Sequence, residues 1–164
     1  MDSTVSKIRC RRGVSLVGTM VAVVILLIAV IGTSSFRYYS AMDTRRADAQ
    51  TAAARIALTL CESWRGINGD VTYDPITHLG TNLAITPSTT GPEKPSDFTL
   101  LGSYAIDVDD IHGVTHYATL SWKDVQSGLR ALNVIVAWAQ RGPGLDGAEN
   151  VDKSFRLTIY TSTI

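Results

Sequence analysis

The stretch Arg11-Arg12-Gly13-Val14-Ser15-Leu16-Val17-Gly18-Thr19-Met20-Val21 decides how this chain is read. A basic pair ends in a glycine, and a run without a single charge begins at the next residue and lasts to Ser35. As a helix, residues 14–35 would rise roughly 33 Å, against roughly 30 Å for the hydrocarbon core of a bilayer. Lys7, Arg9, Arg11 and Arg12 stand ahead of the run and are opposed only by Asp2. Positive residues stay on the cytoplasmic side, so the N-terminus is expected inside and everything after residue 35 outside. Arg37, Arg45 and Arg46 follow the run and soften that asymmetry without reversing it.

The helical pattern does not stop with the apolar run. From Met42, residues Ala49, Ala53, Ile56, Leu60 and Trp64 recur at helical spacing, while most of Arg45, Arg46, Asp48, Arg55, Glu62 and Arg65 fall elsewhere on the wheel. Residues 36–65 contain neither Gly nor Pro, and Gly66 follows with Arg65 in the final turn, as at many helix ends. One helix from about residue 14 to 65 would be roughly 78 Å long. Half of it suits lipid, and the other half offers a narrow apolar stripe to a domain.

From Gly66 onward Gly, Pro, Thr and β-branched residues dominate. Ile67 to Asp97, with prolines at 75, 87, 92 and 95, is expected as a loop-rich connection that carries specificity. Four strand-like runs follow: Phe98–Asp107, Val114–Lys123, Leu129–Ala139 and Lys153–Ser162. Thr115, Tyr117, Thr119 and Ser121 alternate with His116, Ala118, Leu120 and Trp122, and Phe155, Leu157, Ile159 and Thr161 with Ser154, Arg156, Thr158 and Tyr160. The short turn-rich connections Asp109–Gly113 and Asp124–Gly128 favour antiparallel pairing. The expected fold class is therefore α+β: a long N-terminal helix, one half for the membrane and one half amphipathic, packed on a four-stranded antiparallel sheet. The expected organisation is 1–13 a basic leader, 14–35 the membrane helix, 36–66 its amphipathic continuation, and 67–164 a variable loop and sheet that form a head with the helix.

Composition narrows the function classes. The chain has 164 residues, suited to one globular domain, and its 15 basic and 15 acidic residues give zero net charge. Nothing in that balance points to nucleic acid. Cys10 lies before the apolar run and Cys61 after it, so the pair is expected on opposite sides of a membrane with no disulfide between them. Cys10 also precedes the apolar run that a lipidated cysteine would have to follow. Cys61 has apolar neighbours in the helical pattern and is expected as a small buried residue.

A short basic leader ending in Gly13, followed without spacer by an apolar helix, resembles the type IV prepilin leader and cleavage site. The resemblance covers the N-terminal third; the long helix, variable loop and final sheet match the pilin plan in outline. The Val21–Leu27 run is similar to that of minor pilins and minor pseudopilins. The resemblance implies cleavage between Gly13 and Val14 by a membrane aspartyl peptidase, the prepilin peptidase, and N-methylation of Val14. It implies further that the apolar helix is retained, first as an anchor and then in a filament core. The expected partners are other pilin or pseudopilin subunits, the prepilin peptidase, an inner-membrane assembly platform and, before assembly, membrane lipid. The expected location is the bacterial inner membrane as a single-pass precursor with its N-terminus inside, then an extracytoplasmic filament. Two positions depart from the family pattern. Val14 replaces the usual Phe at the first mature position, and Gly18 replaces the usual Glu at the fifth. That carboxylate is understood to neutralise the amine of an adjacent subunit. An unpaired buried charge costs several kcal/mol, so its loss fits a low-copy tip or initiation role better than a repeating shaft position. Ser35 stands where many major pilins carry a helix-bending proline, which implies a straighter membrane helix.

Other motifs have plainer readings. Gly142-Pro143-Gly144-Leu145-Asp146-Gly147 matches a dinucleotide-binding pattern by letters, but it joins two strand-like runs and reads as a turn. His112 and His116 straddle a turn and a strand and read as solvated or core residues. Asp107, Asp109 and Asp110 form one acidic cluster; Asp146, Glu149, Asn150 and Asp152 form the better candidate for calcium, in a long loop, though each cluster reads first as a solvated turn. No other cofactor is expected. His78 stands alone in the Pro-rich loop and no nucleophile–base arrangement is present, so the chain is not expected to be an enzyme. Two further readings use the same apolar run differently: an unprocessed single-pass protein with an external binding or sensor domain, and a secreted module whose signal is cleaved near Ser35.

Overall fold

The computed structural model describes residues 15–108, 114–139 and 151–163. The chain divides into two units, Met1–Asp43 and Thr44–Ile164. Helix α1 is Leu16–Gly66. It is followed by α2 (Pro75–Leu79), β1 (Ala84–Pro87), β2 (Thr99–Asp107), β3 (Thr115–Gln126), β4 (Leu129–Trp138) and β5 (Lys153–Ser162). The architecture is α+β, a long N-terminal helix packed on an antiparallel sheet.

The sheet has five strands in the order β1-β2-β3-β4-β5, each antiparallel to the next. This corrects the four-stranded expectation. The extra strand lies inside the stretch read as loop, where Ile85 alone is buried among four residues. A single inward side chain before Pro87 is too short a run to show alternation. Helix α2 lies in the same stretch. Asp74 caps it, accepting from the backbone amide of Ile76 at 3.1 Å and from Thr77 Oγ1 at 2.9 Å, and Pro75 fills the first turn where no amide donor is needed. Strand β3 also extends past Lys123 to Gln126, leaving only Ser127 and Gly128 to turn into β4.

In the second unit, α1 buries Ala53, Ile56, Ala57, Leu60, Cys61 and Trp64, with Ala49 half-buried beside them. The sheet answers with alternate residues: Tyr104 and Ile106, Ala118 and Leu120, then Leu132, Val134, Val136 and Trp138. The β4–β5 register sets Leu132 opposite Ile159, Val134 opposite Leu157 and Val136 opposite Phe155, which extends the same face. Burying a side chain such as Ile56 or Leu60 contributes about 1.5–3 kcal/mol. The expected stripe is present, with Ala57 added to it; Met42 is half-buried and lies in the other unit.

The opposite face of the sheet centre is buried too, at Thr119, Ser121, Asn133, Ile135 and Ala137. Part of its cover is the segment after β1. Ser88 donates its amide to the carbonyl of Ser103 at 2.9 Å, and Lys123 Nζ meets Asp97 Oδ2 at 2.7 Å. Between them Gly91 lies so close to β2 and β3 that a Cβ there would stand 2.5 Å from Thr119 Oγ1. The polar side chains beneath are paired: Asn133 Nδ2 donates to Thr158 Oγ1 at 2.8 Å and its Oδ1 accepts from Ser121 Oγ at 3.4 Å.

Candidate membrane-inserting surface

Leu16 to Ser35 of α1 carry only apolar, glycine and hydroxyl side chains, and every one of them is exposed. Leu16 is 77 % exposed and Ile28 66 %, so apolar surface faces outward on all sides and not along one stripe. A helix apolar all round is built for surroundings as apolar as itself. By length and composition this helix is able to cross a membrane. Its polar side chains fit that role. Thr19 Oγ1 donates to the carbonyl of Leu16 at 2.7 Å, Thr33 Oγ1 to those of Ala29 and Val30 at 3.0 Å, and Ser34 Oγ to that of Val30 at 2.8 Å. Hydroxyls satisfied within their own helix do not require water.

Gly13 and Val14, the expected cleavage pair, lie outside the described residues, as do Cys10 and the basic leader. Gly18 is described and exposed. A Cβ added there would meet nothing nearer than Ser15 Cβ at 4.0 Å, so a carboxylate side chain would fit in the isolated subunit. The helix passes Ser35 without a break.

The rest of the expected site residues separate. Asp146, Glu149 and Asn150 of the calcium candidate lie outside the described residues, and Asp152 is exposed. Asp107 accepts from Thr115 Oγ1 at 2.8 Å, while Asp109, Asp110 and His112 are not described. Among the described residues no group of three His, Cys, Asp or Glu side chains is placed to hold a metal ion. His116 is a core residue, 1 % exposed, with Nδ1 3.1 Å from the carbonyl oxygen of Val114. The Gly142–Gly147 segment, expected as a turn, is outside the described residues.

The end of α1 is the most elaborated polar region of the second unit. Trp64 is fully buried, donates Nε1 to the carbonyl of Asp70 at 2.8 Å, and stacks on Tyr73 with ring centroids 5.7 Å apart. His78 also stacks on Tyr73, with ring centroids 5.2 Å apart. Burial raises the Tyr73 phenol above its ordinary range. Asp70 is held below the usual carboxylate range, chiefly by the backbone amide of Thr72, which donates to it at 2.9 Å. The left-handed residues that turn the chain are Asn68 at φ 59° and Gly69 at φ 67°, not Gly66, which remains in the helix. Cys61 is a free buried thiol, pushed up from 9.0 to about 12 by desolvation and then by the charge of Glu62. Such a thiol is a packing group and not a nucleophile.

One feature of the exposed helix escaped the sequence reading. Phe36, Tyr38 and Tyr39 are 74 %, 64 % and 67 % exposed, directly after the charge-free run. The signal was available: three aromatics within four positions, in a helix whose preceding 20 residues have none. No protein-family model, curated protein or solved structure matches this chain.

Proposed function

We propose that this chain is a pilin-like subunit, a minor pilin or pseudopilin of a type IV pilus or type II secretion filament. The observation that carries the reading is the single helix α1. Its first half is apolar and exposed all round, and its second half carries the stripe that packs on an antiparallel sheet. A cleaved secretory signal has no need of a helix continuous with the domain core. An assembling subunit does, because the same apolar surface is first solvated by lipid and then buried among like helices by apolar contact and dispersion. The leader from Lys7 to Gly13 supports processing between Gly13 and Val14 by a prepilin peptidase, with methylation of Val14.

Gly18 supports placement at a tip or initiation position. Within the isolated subunit there is room for a carboxylate at residue 18, so the chain's own packing does not demand a glycine there. A subunit without that carboxylate has nothing to neutralise the amine of a subunit packed beside it, a pairing needed throughout a shaft. A purified filament in which this chain repeats along the shaft would overturn that placement.

The test is the mass and N-terminal sequence of the chain produced with a prepilin peptidase present. A start at methylated Val14 is expected, and Gly13→Ala should leave the longer precursor in the membrane. A start at Met1 would favour an unprocessed anchored binding or sensor protein, and a start near Ser35 a secreted module. Either result would overturn the filament reading.

A further inference from the structure

The charge-free run of α1 ends at Ser35, and the next four residues are Phe36, Arg37, Tyr38 and Tyr39. All four are exposed. Successive residues of an α-helix are turned by about 100°, so these four side chains point in four directions and together encircle the helix. They do so within about 5 Å of axis. The headgroup layer outside each face of the hydrocarbon core is about 5–8 Å thick, deep enough to hold the ring.

We propose that Phe36, Arg37, Tyr38 and Tyr39 form an interfacial collar that sets the depth of α1 in a bilayer. The collar would seat in the headgroup layer where the helix leaves the hydrocarbon. The proposal rests on the membrane-crossing part of the reading above and is independent of filament assembly. The angular spread decides the partner. A protein docking on a helix meets one side of it, and the residues it selects line one stripe. In the unassembled subunit, residues that face the same surroundings on every side are matched to a medium, and the medium at this level is the lipid–water boundary. The chemistry agrees: Tyr presents an apolar ring with a polar tip, and Arg37 offers a fork of donors to lipid phosphates. Tyr38 and Tyr39 also pack edge to face at 5.9 Å, which pre-orders one side of the ring.

The experiment uses the full chain with Cys10→Ser, reconstituted in vesicles of phosphatidylcholine and phosphatidylglycerol, with a reporter thiol from Ala41→Cys. Cys61 is buried and reacts slowly. Flotation of the vesicles establishes insertion, and the labelling rate by a membrane-impermeant maleimide reports depth. Replacing the three aromatics together (Phe36→Leu, Tyr38→Leu, Tyr39→Leu) keeps the segment apolar but removes its preference for the interface. Labelling at residue 41 is expected to slow by roughly 10-fold as the longer apolar span draws it inward. Each single replacement should give a partial and similar effect, and Tyr38→Trp with Tyr39→Trp should keep the original rate. A floating protein whose labelling rate the triple variant leaves unchanged would overturn the collar alone. An effect confined to one of the three aromatics would overturn it in favour of a one-sided protein contact. Failure to float would overturn the collar together with the membrane reading.

Discussion

Arg130 Nη1 donates to the carbonyl oxygen of Gly69 at 2.8 Å, joining positions 61 residues apart in the chain. The same guanidinium forks onto Asp124, with Nε–Oδ1 at 2.7 Å and Nη2–Oδ2 at 3.3 Å, and lies 4.4 Å from the centre of the Trp122 ring. One side chain thus ties the loop that ends α1 to the β3–β4 hairpin.

Arg130→Lys is expected to lower the stability of the chain by about 1–2 kcal/mol in urea titrations, because an ammonium supplies neither the planar fork nor the stacking. Asp124 is held below the usual carboxylate range by its hydrogen bond to Arg130. A depressed carboxylate adds stability that is present above its unfolded value, near 3.9, and is lost as pH falls through the folded value. The gap between Arg130→Lys and the unsubstituted chain should therefore narrow only below about pH 4.

Gly69 has φ 67°, and an added Cβ would stand 2.7 Å from Thr161 Cγ2 and 3.1 Å from Leu132 Cδ2. Gly69→Ala combines backbone strain with a clash against β4 and β5, and should cost about 2–3 kcal/mol. Asn68→Gly, one residue earlier at φ 59°, should change stability by less than about 1 kcal/mol. Thermal unfolding of the two variants checks whether position 69, strained and crowded at once, is the less tolerant of the two.

Ile56 is 4 % exposed in the stripe that α1 presents to the sheet. A buried unpaired carboxylate at this site, Ile56→Asp, should cost about 2–4 kcal/mol and expose the second unit to limited proteolysis. Leu58→Asp, on the exposed side of the same helix, should leave the protease pattern unchanged. Equal resistance of both variants would mean the stripe does not hold the sheet.

The buried thiol of Cys61 sets an alkaline limit. The unfolded chain ionises this group near 9.0, the folded chain only near about 12, so the folded state is favoured fully below 9.0 and loses ground as pH rises between the two. The slope is about 1.4 kcal/mol per pH unit over that window. Cys61→Ala should flatten the alkaline limb of the stability profile, and Cys61 in the unsubstituted chain should resist thiol reagents at pH 8 until the protein unfolds.

The sequence made the helix and the sheet legible because both write long periods. Ala53, Ile56, Leu60 and Trp64 repeat at helical spacing, and four strand-like runs between 98 and 162 are long enough to be recognised, β3 and β5 by their alternation and β4 as a nearly continuous apolar run. What it hid were short or non-periodic devices. The single inward residue of β1, Ile85, leaves no pattern, and Gly91 is special only because the outer face of the sheet lies beneath it. The pattern ending at Arg65 marks the end of α1, yet the residues that turn the chain are Asn68 and Gly69, since the fit of Gly69 against Leu132 and Thr161 is a tertiary fact. At the candidate surface the apolar run was plain from its lack of charge. The encircling placement of Phe36, Tyr38 and Tyr39 needed the helix to be continuous through them before their directions could be assigned.

Each strand of the sheet is hydrogen-bonded only to strands next to it in sequence. Pairing therefore joins only strands that follow one another in the chain, and no strand waits for a partner beyond its neighbour before it can dock, a topology that favours rapid folding. The exception is the contact between α1 and the sheet, which spans the longest separations and is completed when β5 adds Phe155, Leu157 and Ile159 to the apolar face. The head would thus gain its last cooperative increment only when β5 docks. Truncation within β5 should leave a collapsed, loosely packed intermediate in place of a smaller native head.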